Sequence, residues 1–182
     1  YIELRDNEIH EIRGGAQDGG AMGITIYGSN DNKSINHLII DNNHIHHCDP
    51  AWSEALTLNG NVENFEVTNN IVEDVNNIGI DFIGGEDWLS SKFARNGRCA
   101  WNQVYRANSS YEGGWAAGIY VDGGQNITIE NNTMWNTLAA GITLDDYSRW
   151  CNVSHNIIMY PGDDGIQVTT DNMEHRIENN NI

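Results

Sequence analysis

Positive charge is what this chain has least of. Nine lysines and arginines stand against 26 aspartates and glutamates in 182 residues, giving a formal net charge of -17. That balance argues against nucleic acid as a partner, because phosphate neutralisation needs a basic face, and against anionic membrane surfaces. Long apolar runs are also lacking: none reaches the length of a bilayer span, and no signal-peptide pattern opens the chain. Only three cysteines occur, Cys48, Cys99 and Cys151, an odd and widely spaced set that makes neither a disulfide framework nor a zinc motif. Apolar residues nonetheless make up 39% of the chain and charged residues only 19%, which supplies a core and separates the sequence from disordered polyampholytes.

What is abundant is asparagine in a recurring phrase. "IELRDNEI", "LIIDNNHI", "FEVTNNIV", "RCAWNQV", "ITIENNTM", "CNVSHNII" and "HRIENNNI" align on Asn7, Asn43, Asn70, Asn102, Asn132, Asn156 and Asn180, with steps of 36, 27, 32, 30, 24 and 24 residues by subtraction. Three residues before the Asn lie Leu4, Ile40, Val67, Cys99, Ile129, Val153 and Ile177; two after it lie Ile9, Ile45, Val72, Val104, Met134, Ile158 and Ile182. Apolar and polar positions alternate up to the Asn, which is the strand period. The Asn itself is expected to make the bend, since it tolerates the left-handed backbone region and its amide can bond nearby backbone. A third strand follows each loop: "GITI", "EALTL", "GIDF", "GIYV", "GITL" and "GIQV". Three short strands per turn and one stacked Asn predict an all-β fold, a single-stranded right-handed parallel β-helix of about six to seven coils with an Asn ladder.

At this point the sequence resembles the pectate-lyase-like β-helix superfamily over nearly its whole length. "EALTLNGNV", "NNIGIDFIGGE" and "AAGIYVDGGQNITIENN" resemble a bacterial group described as right-handed β-helix repeat proteins. The resemblance implies the fold but not a reaction, because the superfamily includes lyases, hydrolases, epimerases and non-enzymatic adhesins. In this frame Cys99 and Cys151 are small core residues two coils apart, beyond disulfide reach, and Cys48 lies in a loop. Tyr1 enters directly into a repeat and Ile182 stops inside one, so residues 1–182 are expected to be a segment of a longer chain without its caps, with end-to-end or oligomeric contacts at the exposed ends.

The loops around the "GIxV" strand are enlarged: "HEIRGGAQDGGAMG", "HHCDPAWSE", "GGEDWLSSKFARNGR" and "ANSSYEGGWAAG". Binding residues concentrate on loops held by a rigid scaffold, so the outward face of this strand is expected to be the floor of a groove. One outward column reads Thr25, Thr57, Asp81, Tyr120, Thr143, Gln167, and the next Tyr27, Asn59, Ile83, Asp122, Asp145, Thr169. Paired carboxylates at coil-to-coil spacing suit glycosidic cleavage, one as acid and the other as base or nucleophile. Asp81, Asp122, Asp145 and Glu86 are the candidate catalytic acids. Tyr27, Glu54, Asn59 and Tyr120 are expected to position substrate, with Trp88 and Trp115 stacking on sugar rings.

Polygalacturonases give a useful contrast. "PGDDGI" is similar to their Asp-Asp element, but their Asn-Thr-Asp, Gly-His-Gly and Arg-Ile-Lys elements are missing. No Lys or Arg falls on the outward columns, and only Lys92, Arg95 and Arg98 cluster, in one loop. A neutral or amino sugar fits this charge better than a polyuronate. "NNHIHHC" places His44 and His46 outward with His10 beside His46. That strand is not the one flanked by the long loops, and a surface ladder of imidazoles is favoured there over a zinc site. The expected function is hydrolysis of a polysaccharide or oligosaccharide by a secreted or cell-surface protein, with no cofactor. The alternatives are a calcium-assisted lyase using the same hard oxygen ligands, and a non-catalytic glycan-binding or structural β-helix.

Overall fold

Short alternating segments such as "ITIE" and "GIYV" cannot bury their apolar side alone, and stacking them coil on coil is what buries it. The computed structural model describes residues 1–14, 20–169 and 174–182. Residues 15–19 of the first enlarged loop lie outside the described residues. The strands form three parallel sheets of seven, six and six members. The first sheet carries the strand before each ladder Asn, from Ile2–Arg5 to Arg176–Glu178; the second runs from Glu8–His10 to Ile157–Met159; the third from Ile24–Gly28 to Ile166–Val168. Every strand pair is parallel, as a solenoid of successive coils requires. The expected β-helix is the fold observed.

The ladder is continuous from Asn7 to Asn180. At its centre, Asn102 Nδ2 donates to Asn132 Oδ1 at 3.0 Å and to the Val67 carbonyl at 2.8 Å. Its Oδ1 accepts from both the backbone N–H and Nδ2 of Asn70, each at 2.9 Å. The same pattern recurs at Asn43, Asn70, Asn132 and Asn156. Each side chain therefore satisfies backbone groups that a corner would otherwise leave buried and unpaired.

The bend itself falls elsewhere than expected. The left-handed residue is the one before each ladder Asn: Asp6, Asn42, Asn69, Trp101, Asn131, His155 and Asn179 have φ between 55° and 58°. A second left-handed column lies four residues after the ladder, at Glu11, His47, Asp74, Arg106, Asn136 and Tyr160. A third lies six residues before it, at His37, Asn64, Asn96, Asn126, Trp150 and Glu174. The ladder Asn was selected for its amide, while its neighbour turns the chain. Several of these corners use Trp, Arg, Glu or Tyr, which hold this region at a cost of roughly 1 kcal/mol each.

The interior is filled by the expected columns. Leu56, Leu58, Ile80, Phe82, Ile119, Val121, Ile142 and Leu144 are fully buried, as are Ile40, Val67, Cys99, Ile129 and Val153. Val168, on the terminal strand of the third sheet, is 46% exposed. Phe65 and Phe82 stack at 5.2 Å within the core. Cys48, Cys99 and Cys151 are all buried free thiols. The glycine that opens the "GIxV" phrase has a steric cause: a Cβ on Gly79 would lie 2.6 Å from the Gly118 carbonyl oxygen, and one on Gly118 2.7 Å from that of Gly141.

Replacing Asn102 with Ala removes two donors and two accepted bonds in a buried column. We expect a loss of about 3 kcal/mol or more in guanidinium unfolding, against less than about 1 kcal/mol for Asn7→Ala at the exposed end. Equal losses at the two sites would contradict the ladder's role.

Candidate functional site

The third sheet aligns its outward residues as anticipated. Thr25, Thr57, Asp81, Tyr120, Thr143 and Gln167 are register partners in turn, and so are Tyr27, Asn59, Ile83, Asp122 and Asp145. Asp122 and Asp145 thus sit side by side on strands about 4.8 Å apart. Asp122 ends its strand where the chain reverses: its carbonyl accepts from the Gly84 N–H at 2.7 Å. Gly123 follows at φ +83°, and a Cβ there would meet the Gly84 carbonyl oxygen at 2.3 Å.

The two carboxyl groups have opposite environments. Burial, then the charges of Asp145, Glu86 and Asp146, push Asp122 up to about 6. Burial also acts most strongly on Asp145, pushing it upward. Its hydrogen bonds outweigh that and hold it below the ordinary carboxylate range. Tyr120 Oη donates to Asp145 Oδ2, Thr169 Oγ1 donates to Oδ1 at 2.7 Å, and the Asp146 N–H donates to Oδ1 at 2.9 Å. Tyr120 is correspondingly kept protonated, by burial first and then by its bond to Asp145.

Asp81 and Glu54 extend this acidic unit. Asp81 is only 1% exposed, so the structure moves it from the groove surface to a position beneath it. Burial and the charges of Glu54 and Asp122 raise it well above its ordinary value, and its Oδ1 has no hydrogen-bond partner. Glu54, expected only to position substrate, has the character of an acid. Burial, with Asp122 and Glu86 adding like charge, lifts it to about 7. The signal for Glu54 in the sequence was weak because it precedes the strand's apolar alternation.

The walls come from the long loops. The loop after strand Ile78–Ile83 folds back through a Gly84–Phe93 bridge and a short 3-10 turn, Asp87–Leu89. It brings Trp88 over Gly60 and within 6.1 Å of Tyr27, edge to face, with both rings about half exposed. Glu86 Oε1 accepts from Asn59 Nδ2 at 3.2 Å. On the opposite side Trp52 packs on Tyr111 at 5.9 Å, and Tyr111 Oη donates to Asp49 across two coils at 3.0 Å. Trp115, on the same loop as Tyr111, is half-buried.

Arg95 and Arg98 do not belong to a loop cluster. They lie in strand Arg95–Ala100 of the first sheet, paired with Glu63 and Glu130. Lys92, in the loop after strand Ile78–Ile83, lies 3.7 Å from Asp31. A separate surface cleft of about 730 Å³ is lined by Asp49, Asp74, Asn76, Arg106, Asn108 and Ser110 among others. Its Asp74 is ion-paired with Arg106, whose hydrogen bond is the main cause holding the carboxyl below its usual value.

This is a β-helix whose third sheet carries a cluster of carboxylates flanked by aromatic loop residues, and the chain belongs to the family described as right handed beta helix region, whose model matches residues 2–182. It is 38% identical over 159 residues, 84% of its length, to the uncharacterized protein YwoF of Bacillus subtilis (strain 168), of which it spans 33%. The structure is similar to the crystal structure of alginate lyase from Paenibacillus sp. str. FPU-7, with a TM-score of 0.59 and 15% identity, covering 91% of this chain and 58% of that one. At that identity the likeness is one of fold. No helix among the described residues is long and apolar enough to cross a membrane.

Carboxyl groups with raised folded-state values stabilise the fold while protonated. That contribution is complete below their unfolded values near pH 4 and is lost as pH rises through about 6 for Asp122 and about 7 for Glu54. Stability in guanidinium should therefore fall between about pH 4 and 7, and Asp122→Asn with Glu54→Gln should flatten that fall. A wild-type profile that rises through this window would contradict the assignment.

Proposed function

We propose that this chain hydrolyses glycosidic bonds of a polysaccharide or oligosaccharide, in a secreted or cell-surface setting. The observation that carries the reading is the Asp122–Asp145 pair: adjacent carboxyl groups whose surroundings drive one toward the acid and the other toward the carboxylate. Such divergence is how paired acids divide their roles. Asp122 donates its proton to the departing glycosidic oxygen. Asp145, held ionised by Tyr120, Thr169 and the Asp146 amide, attacks the anomeric carbon. Water then displaces the sugar from Asp145, giving its proton back to Asp122. Register partners on adjacent strands about 4.8 Å apart place the two side chains on one face, and a retaining course requires their carboxyl groups to stand about 5–5.5 Å apart. Tyr27, Trp88 and Trp115 offer ring faces to the sugar, and Asn59 and Glu86 offer polar groups at the rim. The absence of Lys and Arg from the floor columns fits a neutral or amino sugar.

A calcium-assisted lyase is the second reading. Asn59 Oδ1 and Asp81 Oδ1 are buried oxygens without hydrogen-bond partners beside the same acids, a donor set suited to a hard cation.

A panel of neutral, amino and uronic glycans assayed for new reducing ends separates these readings. We expect turnover with net retention by NMR, falling above about pH 6 as Asp122 deprotonates, and a loss of at least about a hundredfold in kcat for Asp122→Asn and Asp145→Asn. Chelator-sensitive formation of unsaturated, ultraviolet-absorbing products would replace hydrolysis with lysis. Tight glycan binding with no turnover would replace catalysis with recognition.

A further inference from the structure

The imidazoles of the second sheet form a group that the acid groove does not use. Four of the chain's seven histidines, His10, His44, His46 and His47, meet on one face. His10 and His46 are register partners and stack at 5.0 Å with ring planes 6° apart. His44 and His46, two residues apart on one strand, bring their rings to 4.3 Å. Read as a sequence, this looks like a simple surface ladder. The structure adds Glu8, which is the register partner of His44 and sends its carboxylate to His46, with Oε1 3.3 Å from Nε2.

We infer that Glu8, His44 and His46 form a binding site for a divalent transition metal of the zinc class, separate from the acid groove. One donor atom from each of the three residues lies within 4.8 Å of the others. Donors around tetrahedral zinc at 2.0–2.1 Å are about 3.3 Å apart, so closure requires movements of about an ångström in side chains. Glu8, 68% exposed at its side chain, has that freedom, while His46 at 15% is already fixed. Two imidazoles and one carboxylate leave a fourth position for water or for a group from another molecule. The nitrogen donors select zinc, cobalt, nickel or copper over calcium and magnesium.

Surrounding groups orient the ligands. Glu73 Oε1 lies 2.9 Å from His44 Nε2, and Glu73 is itself held by Arg106 at 2.6 Å. His47 Nδ1 lies 2.7 Å from His46 Nδ1, which fixes the second nitrogen of the central ligand. Partners of this kind set ring orientation and tautomer in histidine metal sites.

The test uses the metal-free protein titrated with Zn²⁺ by calorimetry and with Co²⁺ by visible absorption. We expect one ion per chain, with cobalt bands of nitrogen–oxygen coordination. His46→Gln and His44→Gln should each lower affinity at least about tenfold. Glu8→Gln, on an exposed side chain, should also weaken binding and serves should either histidine variant lose its fold by circular dichroism. Asp122→Asn should leave binding unchanged. Absence of zinc binding, unchanged affinity in Glu8→Gln together with the folded histidine variants, or loss of binding in Asp122→Asn would each overturn the proposal. The last result would place the ion in the acid groove instead.

Discussion

The structure depends on one hydrogen-bonded column. At each corner the chain must turn while buried, and a turning backbone leaves polar groups that a strand ladder would have paired. The ladder asparagines supply both a donor and an acceptor at that point and pass the connection to the next coil. Their side chains do for the corner what interstrand bonds do for the sheets. This fixes where one coil stands over another, and with it the register of all three sheets. The acid groove inherits its geometry from this: Asp122 lies beside Asp145 because Asn132 lies over Asn156.

The groove is an electrostatic unit as much as a set of residues. Glu54, Asp81, Glu86, Asp122 and Asp145 act on one another, and no cation on the floor columns relieves them. Burial beneath the loops strengthens each repulsion. Protonation relieves it for Asp81, Glu54 and Asp122, whereas three hydrogen bonds relieve it for Asp145. Two adjacent aspartates of the same coil-to-coil column thereby acquire different proton affinities without any difference in residue type. Trp88 and Trp52 reach their places because long loops fold back over neighbouring coils.

Much of the fold was legible because a solenoid converts sequence period directly into spatial contact. Residues at matching positions of successive coils become neighbours, so the two outward columns and the inward apolar columns could be written down from the alignment on Asn. What misled was local. The left-handed corner was assigned to the ladder Asn, yet Trp101 and His155 show that the turning residue is the one before it, where residue type is loosely constrained. Arg95 and Arg98 read as loop cations because their strand, "RNGRCA", lacks a clean alternation. Its Gly97 instead makes room for Phe65, whose ring would lie 2.0 Å from a Cβ there.

The sequence alone determined the coil, its repeat, the Asn ladder and the order of residues along the groove floor, because each follows from periodicity. Tertiary structure decided depth and protonation. It buried Asp81 beneath the floor and made Glu54 an acid. It set Asp122 apart from Asp145. These outcomes depend on which loop covers which coil and which donor reaches which carboxylate. Such contacts are set by loop packing, for which the repeat carries no period to read.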